Sequence, residues 1–544
     1  MRSTFMGLEA SKRALFTQQS ALYTTGHNVA NANTKGYTRQ RVNMQPTPGY
    51  PGIGLNTPQM PGFIGTGVEA GSVERVRDQF IDKQFRQESN KLGYWQSRSN
   101  AIEQMEDVLN EPSEFGLQRS LSLFWQSLQD LSESPENGGA RAVAVDRGVA
   151  VAESFNYMNA SLKDIQRNLR NEVEVSVAEV NSILDQIASL NKQIIEIEPN
   201  GYMPNDLYDA RDVLLDELSE FFPVELDYTK SGGRALAVAE GAVSVSIRIG
   251  NDTVTLVDGI ERSHIEANYA QPGEEYRKGL EPFTSLSVSS KVNIMESVPR
   301  NADGNLTTVA ETTAYTNMPK TGKLAGIVDS YGYLDNGQHK GLYPDHLRDL
   351  DRLAQAFGKA FNEQHARGIS KNKAQATEAS AFFTTKDRPD GNIIAWRTIT
   401  AENIQVSTKI QDDPSLLRAA SHNANDGEEG NGANAKALAD IQHAILADGA
   451  DRGGLNGASI QTYFEGMIGE LGVKGQQAVR NTFNATTMME SVEYRRASIM
   501  SVSLDEEMTD MIRFQQAYNA SARMMTAVDE TLDKIINGMG RVGL

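Results

Sequence analysis

Gly65-Thr66-Gly67-Val68-Glu69-Ala70 carries the GxGxxA spacing of a dinucleotide fingerprint and precedes a helical pattern. Such glycines work on the strand-to-helix turn of a βαβ unit, where backbone N–H groups reach a pyrophosphate. Residues 46–62 before it are rich in Pro and Gly, and no parallel-sheet pattern follows, so no nucleotide is expected. Gly322-Lys323 is not a phosphate loop: Asn317 stands where the first glycine belongs, and Leu324 replaces the Mg2+-binding Ser or Thr. The seven histidines (His27, His264, His339, His346, His365, His422, His443) show no HExxH and no paired ligand spacing. Asp206, Asp209, Asp212 and Asp216 line one side of a helix that starts after Pro204. Acids in a first turn meet the helix N-terminus favourably, and the rest read as a solvated face. Asn423-Ala424-Asn425-Asp426-Gly427 lacks the spacing and closing Glu of a calcium loop. No Ser sits in a GxSxG elbow. The residues predict no catalytic site, no cofactor and no metal.

Bulk composition points the same way. A chain of 544 residues exceeds one core and predicts three or four domains. It is 39% hydrophobic and 23% charged with mean hydropathy −0.44, as a folded soluble protein is. No run approaches the roughly 20 apolar residues that cross a bilayer, so no membrane anchoring is expected. The start, Met1-Arg2-Ser3-Thr4-Phe5, lacks the apolar block and cleavage site of a secretory signal, which by itself predicts a cytoplasmic protein. A net charge of −19 argues against a nucleic-acid partner. Cysteine is absent, which removes disulfides and thiolate chemistry together and suits a chain that reaches an oxidising exterior unfolded.

The two ends differ in charge. Arg2, Lys12, Arg13, Lys35, Arg39 and Arg41 face Glu9 alone in residues 1–45, whereas seven acids outnumber four bases in residues 500–544. Opposite signs suit two segments that meet, although exposed pairs are weak.

Both ends also carry a narrow apolar seam. Leu8, Leu15, Leu22 and Val29 recur every seven residues beside Gly7, Ala14 and Ala21, predicting a helix from about Thr4 to Ala30 that the run Asn31-Ala32-Asn33-Thr34-Lys35-Gly36 stops. Leu504, Met511, Tyr518, Met525 and Leu532 keep the same strict spacing. Met508, Ala522 and Ile536 partly fill a second seam with Phe514, Val528 and Ile535 beside it, and Gly538 and Gly540 close the helix. A seam that narrow predicts a coiled coil between the ends, between copies, or both. From Val151 to Ile194 an apolar residue recurs at every third or fourth position, the stripe of a very long helix. Shorter helical patterns run from Val76 and Phe80 to Leu109, through Leu207, Leu214 and Leu218, and from Leu350 to Phe361.

After Pro223 the period becomes two. Val243, Val245, Ile247 and Ile249 alternate with polar residues, Gly250-Asn251-Asp252 turns, and Val254 and Leu256 resume, with a second β-like stretch from Ile393 to Ile410. The fold class expected is mainly α with an inserted β domain, an elongated multi-domain rod whose terminal helices pair as a coiled coil. Residues 1–60 and 495–544 would form the terminal unit. Residues 61–222, 321–375 and 436–494 would form a helical rod, and 223–320 with 376–435 a β-rich outer domain. An enzyme in the β tip would need converging titratable groups, and residues 223–320 offer only His264 with scattered acids.

Thr25-Gly26-His27-Asn28-Val29-Ala30-Asn31-Ala32-Asn33-Thr34-Lys35-Gly36-Tyr37-Thr38-Arg39-Gln40 closely resembles the amino-terminal signature of flagellar rod, hook and hook-associated proteins. Its Gly-His and Arg-Gln flanks are most similar to the hook-associated branch. Similar blocks occur at Gly65–Glu69, at Pro204-Asn205-Asp206-Leu207 through Arg211–Ser219, and at Phe361-Asn362-Glu363-Gln364-His365. At the far end, Ser503–Met508 and Phe514–Ala522 resemble the family's carboxy-terminal helix. The resemblance implies a structural subunit at the hook–filament junction, with a rod or hook subunit as the nearer alternative. It implies flagellar type III export without a cleaved signal, which replaces the cytoplasmic expectation. The implied partners are further copies of the chain, the hook protein, a second hook–filament junction protein and a flagellar export chaperone. The implied assembly residues are Leu8, Leu15, Leu22, Val29, Asn31, Asn33, Gly36 and Tyr37 at the amino end. At the carboxy end they are Leu504, Met508, Met511, Phe514, Tyr518, Ala522, Met525, Leu532 and Ile536, which would also dock the chaperone.

Overall fold

The computed structural model describes residues 5–50, 65–109, 116–249, 252–271, 279–301, 305–370, 381–388, 397–421, 430–446 and 454–538. The Asn423–Gly427 run and His422 lie outside them. A helix α1 (Phe5–Asn31) leads into a hairpin of β1 (Gln40–Pro46) and β2 (Val68–Arg75). Helices α2 (Gln79–Leu109), α3 (Leu117–Glu133), α4 (Gly138–Ile197) and α5 (Asn205–Phe221) follow. Val76, expected on a helix, stands just before α2 and bonds its N–H to the Arg39 carbonyl.

The long stripe forms one unbroken helix. α4 has 60 residues, about 90 Å at 1.5 Å per residue. The Asn137 side chain caps its start by accepting from the Gly139 N–H at 2.9 Å. Gly201, left-handed at φ 86°, ends the short 3-10 turn that follows it. Val151, Phe155, Leu162, Leu169, Val173, Val180, Leu184, Ile187 and Ile194 are all buried along it. Each such side chain contributes about 1.5–3 kcal/mol.

The inserted strands are β3 (Val224–Thr229), β4 (Ala242–Ile249), β5 (Asp252–Asp258), β6 (Glu261–Arg262), β7 (Ile265–Tyr269), β8 (Phe283–Ser289), β9 (Val292–Asn293) and β10 (Val309–Ala314). After α6 (Lys323–Tyr331) come β11 (Tyr333–Asp335) and β12 (Gln338–Lys340). One sheet runs β3-β4-β5-β6-β9; the other runs β10-β8-β11-β12 with β7 also paired to β8. Two asparagines on α4 hold these sheets as a neighbouring strand would. Asn191 donates to the Val243 carbonyl at 2.8 Å and accepts from its N–H at 3.1 Å. Asn181 does the same to Ile265 at 2.9 and 2.7 Å.

Helix α7 (Leu342–Ala366) returns to the helical body, followed by short strands β13 (Gly368–Ile369), β14 (Phe383–Thr385) and β15 (Ile404–Val406). Phe124, Phe155, Phe357, Phe361, Phe382 and Phe383 form a buried ring cluster there, with centroids 4.7–6.2 Å apart. The β-like stretch expected over Ile393–Ile410 reaches only three residues of strand, because Ile410 belongs to helix α8 (Thr408–Asp412) and 393–396 lie outside the described residues. β14 and β15 pair with each other and lie on α7 and α4. Strand β16 (Ala420–Ser421) and helix α9 (Ala433–Ala439) precede the last two helices, α10 (Ile460–Met500) and α11 (Leu504–Asp533). α10 packs along α2, and α11 packs along α1.

Two histidines, His339 half-buried and His346 buried, are held toward the neutral form in the folded body. Burial, aided by Arg348, pushes the His339 imidazole down from its ordinary 6.5 to about 4. Burial and Lys474 lower His346 on α7 as well. A lowered folded value means the unfolded chain takes up the proton first. This stabilisation is therefore complete above pH about 6.5 and lost toward pH about 4, a change of at most about 3 kcal/mol for His339. Urea midpoints of the His339→Gln variant should fall less than those of the parent between pH about 6.5 and 4.5.

Candidate assembly interface at the terminal helices

Two points fix α1 and α11 as antiparallel neighbours. A Cβ on Gly7 would lie 3.6 Å from Val528 Cγ2, and Asn28 Nδ2 donates to Glu507 Oε2 at 3.0 Å. Along this stretch Leu8, Leu15 and Leu22, and Val29 just past it, are half-buried on α1. On α11, Met511, Phe514, Tyr518, Ala522 and Met525 are half-buried and Leu532 is buried. Ser521 and Val528 share the burial of Phe514, so the second seam of α11 runs through 514, 521 and 528. Leu504, Met508 and Ile536 face outward instead.

The hairpin covers a further face of α1. Gly67 enters β2 at φ +116°, and a Cβ there would come within 3.3 Å of the Ala10 backbone. Only glycine lets the strand approach that closely. Thr17 Oγ1 then donates to the Val68 carbonyl at 3.2 Å. The GxGxxA run therefore begins a strand against a helix, not a phosphate-binding turn.

The turn after α1 joins the pair to the body. Asn33 is exposed at its tip. Asn31 donates to the His27 carbonyl at 3.1 Å and caps its own helix end. Tyr37 O–H donates to Asn28 Oδ1 at 2.8 Å, and burial followed by Asp206, Asp209 and Glu507 holds the phenol well above its ordinary value. The Thr38 N–H donates to Asp209 Oδ2 at 2.9 Å, and the Arg39 N–H to the Met500 carbonyl at 2.9 Å. Gly36 sits at φ +81°, where a Cβ would lie 2.1 Å from Val213 Cγ2 on α5. Gly36→Ala should loosen this turn by about 1–3 kcal/mol. Faster amide exchange at Thr38, with the body unchanged, is the expected signature.

The Asp row behaves differently from the solvated face expected of it. Asp206 is exposed, but Asp209 and Asp212 are buried, Asp216 is half-buried, and all three face arginines from distant segments. Arg75 Nη1 meets Asp209 and Asp212 at 2.8 Å each, and Arg77 Nη1 meets Asp212 at 2.7 Å. Arg86 reaches Asp216 at 2.7 Å and Asp212 at 3.2 Å. From α10, Arg496 bridges Asp82 at 2.9 Å and Asp216 at 2.6 Å, with its guanidinium 4.4 Å from the Phe85 ring centroid. Burial opposes the Asp212 charge, yet Arg77, Arg75 and Arg86 outweigh it and hold the carboxyl well below the usual range. Asp209 moves the other way, because burial outweighs Arg75 and the Thr38 N–H. The 209/212/216 spacing of three and four was the available signal: it places these acids on the same face as buried Asn205 and Ser219. The arginines lie too far along the chain for any spacing to reveal them.

The seam residues leave a second apolar set in water. Phe5, Phe16 and Tyr23 follow one another on a single exposed face of α1, at 57%, 55% and 70% exposure. Leu504, Met508, Ile512 and Met524 are likewise exposed on α11. Sequence periodicity selected the inner seam and missed Phe5, Phe16 and Tyr23, although their spacing of eleven and seven is also helical, and it missed Ile512 and Met524, which share no such spacing.

A mainly helical chain with inserted sheets, long terminal helices that meet and apolar residues left outside that joint fits an axial, structural protein of the bacterial flagellum. Patterns described as "Flagella basal body rod protein" and "Flagellar basal body rod FlgEFG protein C-terminal" match residues 8–38 and 498–538, the two segments that meet. The pattern described as "Flagellar hook-associated protein FlgK helical domain" matches residues 102–383. The chain is 42% identical to flagellar hook-associated protein 1 of Bacillus subtilis, over 99% of both chains. It is 24% identical to the Salmonella typhimurium protein of that name, over 95% of this chain and 97% of the other. The solved structure of the flagellar hook junction protein FlgK from Burkholderia pseudomallei matches with a TM-score of 0.55. That match covers 77% of this chain and all of the other at 12% identity, which speaks to the fold alone. The chain belongs to the flagellar hook-associated protein 1 family, a structural family of the flagellum. No helix among the described residues is long and apolar enough to cross a membrane.

Proposed function

We propose that this chain is a structural adaptor that joins the flagellar hook to the filament and has no catalytic role. The exposed apolar residues on the joined terminal helices carry this reading. Phe5, Phe16, Tyr23, Leu504, Met508 and Ile512 surround a pair whose own seam is already filled. Apolar surface of that kind marks an interface, and further copies of the chain are the occupant a self-assembling axial family supplies. In this reading α1 and α11 form a short coiled coil in the inner tube, made from residues 1–60 and 495–544. Residues 61–222, 321–375 and 436–494 form the rod around it, and 223–320 with 376–435 the β-rich outer part.

The chain leaves the cell through the flagellar type III system, escorted by an export chaperone on the Leu504–Ile536 region. It then sits between the hook protein and the second junction protein. A strain lacking the chain should make hooks without filaments and shed filament protein into the medium. Normal filaments in that strain would overturn the proposal.

A further inference from the structure

The seam between α1 and α11 repeats every seven residues on both helices, so its apolar contacts are nearly the same after a slip of one heptad. One slip direction is blocked because only residues 501–503 link α10 to α11. The other needs only the first turns of α11 to unwind. Phe514 would then replace Glu507, and Ile535 would come opposite Gly7 in place of Val528.

What separates the two registers is polar. Asn28 is 1% exposed and uses its whole hydrogen-bonding capacity. Its Oδ1 accepts from Tyr37 O–H at 2.8 Å and the Gln40 N–H at 3.0 Å. Its Nδ2 donates to the Gln40 carbonyl at 2.9 Å and Glu507 Oε2 at 3.0 Å. Arg39 closes the site from the other side, with Nε on Glu507 Oε1 and Nη1 on Glu506 Oε2, both at 2.7 Å. Glu507 is one of two buried residues on α11, and it is the charged one.

We infer that Asn28, Arg39 and Glu507 are a register lock, positioning residues that admit α11 to α1 in one heptad alignment only. A slipped helix would carry Glu507, Glu506 and Asp510 away from Arg39 and press Phe514 against the buried Asn28 amide N–H and the half-buried guanidinium, which is costly. The seam supplies attraction, and the lock supplies the choice between alignments. This deepens the assembly reading, on which its biological meaning rests. Its test uses the purified monomer, so a failure to assemble and a failure of the lock give different results.

The chain has no cysteine, so introduced pairs report register cleanly. In the parent background, Gly7→Cys with Val528→Cys should form a disulfide under mild oxidation, and Gly7→Cys with Ile535→Cys should not. Glu507→Leu should raise the ratio of the 535 to the 528 cross-link by about tenfold or more, as loss of one hydrogen bond to a charged group would do. Glu507→Gln keeps an acceptor for Arg39 or a partner for Asn28 and should retain the parent pattern more fully than Glu507→Leu. If Glu507→Leu cross-links only at 528, the lock does not select register. If it cross-links at neither position, the residues merely hold the helices together, and the inference fails equally. A far-UV melt of each variant confirms that the body remains folded.

Discussion

Replacing Tyr518 and Met525 together with Asp should leave the body folded yet abolish incorporation at the hook tip and swimming. Both side chains are half-buried in the seam against α1, two turns apart on the same face. Each aspartate would place an unpaired carboxylate where apolar atoms now meet, at several kcal/mol if it stays charged. α11 has little to set against that. Of its 30 residues only Glu507 and Leu532 are buried, and a helix with so few anchors is marginal alone. The loss should appear first as amide exchange along α11, with α4 still protected. A chaperone defect would also stop swimming, so secreted protein must be measured alongside. Normal motility of the double variant would remove the seam from the account.

Asp212→Asn should cost about 3–5 kcal/mol in stability, the usual penalty for breaking one side of a buried ion cluster. The carboxylate is met by Arg75 at 2.8 Å, Arg77 at 2.7 Å and Arg86 at 3.2 Å. Removing its charge leaves three guanidiniums in a setting with little water. Because the folded value of Asp212 is depressed, its contribution is present above the ordinary carboxylate range and is lost only as pH falls through the folded value, well into acid. The variant should therefore lose stability at neutral pH and lose less than the parent on acidification. Urea unfolding at the two pH values measures both. A neutral-pH change below about 1 kcal/mol would mean the cluster behaves like a solvated surface pair.

Much of this architecture was legible in the chain. The three-and-four stripe from Val151 to Ile194 defined the long helix, since only a continuous helix keeps such residues on one side. Period-two runs located β4 and β5 for the matching reason. Met511, Tyr518, Met525 and Leu532 are among the less exposed residues of α11, which packs along α1. What stayed hidden depends on partners distant in sequence. Asp209, Asp212 and Asp216 look solvated until Arg75, Arg77, Arg86 and Arg496 arrive from other elements. Asn28 looks like a helix-end residue until Gln40 folds back and Glu507 comes from the far end of the chain. The outward aromatic set, Phe5, Phe16 and Tyr23, stayed hidden because heptad spacing marks the residues a helix buries, not those it leaves in water.

Maleimide labelling of single cysteines tests the central claim most directly, because the chain has none of its own. Phe16→Cys and Ile512→Cys place a thiol on the exposed faces of α1 and α11, and Met525→Cys places one in the seam. In the purified monomer the first two should react quickly and the third slowly. In isolated hook–filament junctions all three should be protected, because neighbouring copies cover the outward faces. Thiols at 16 and 512 that react as fast in the junction as in the monomer would show that these helices do not build the assembly, contradicting the account.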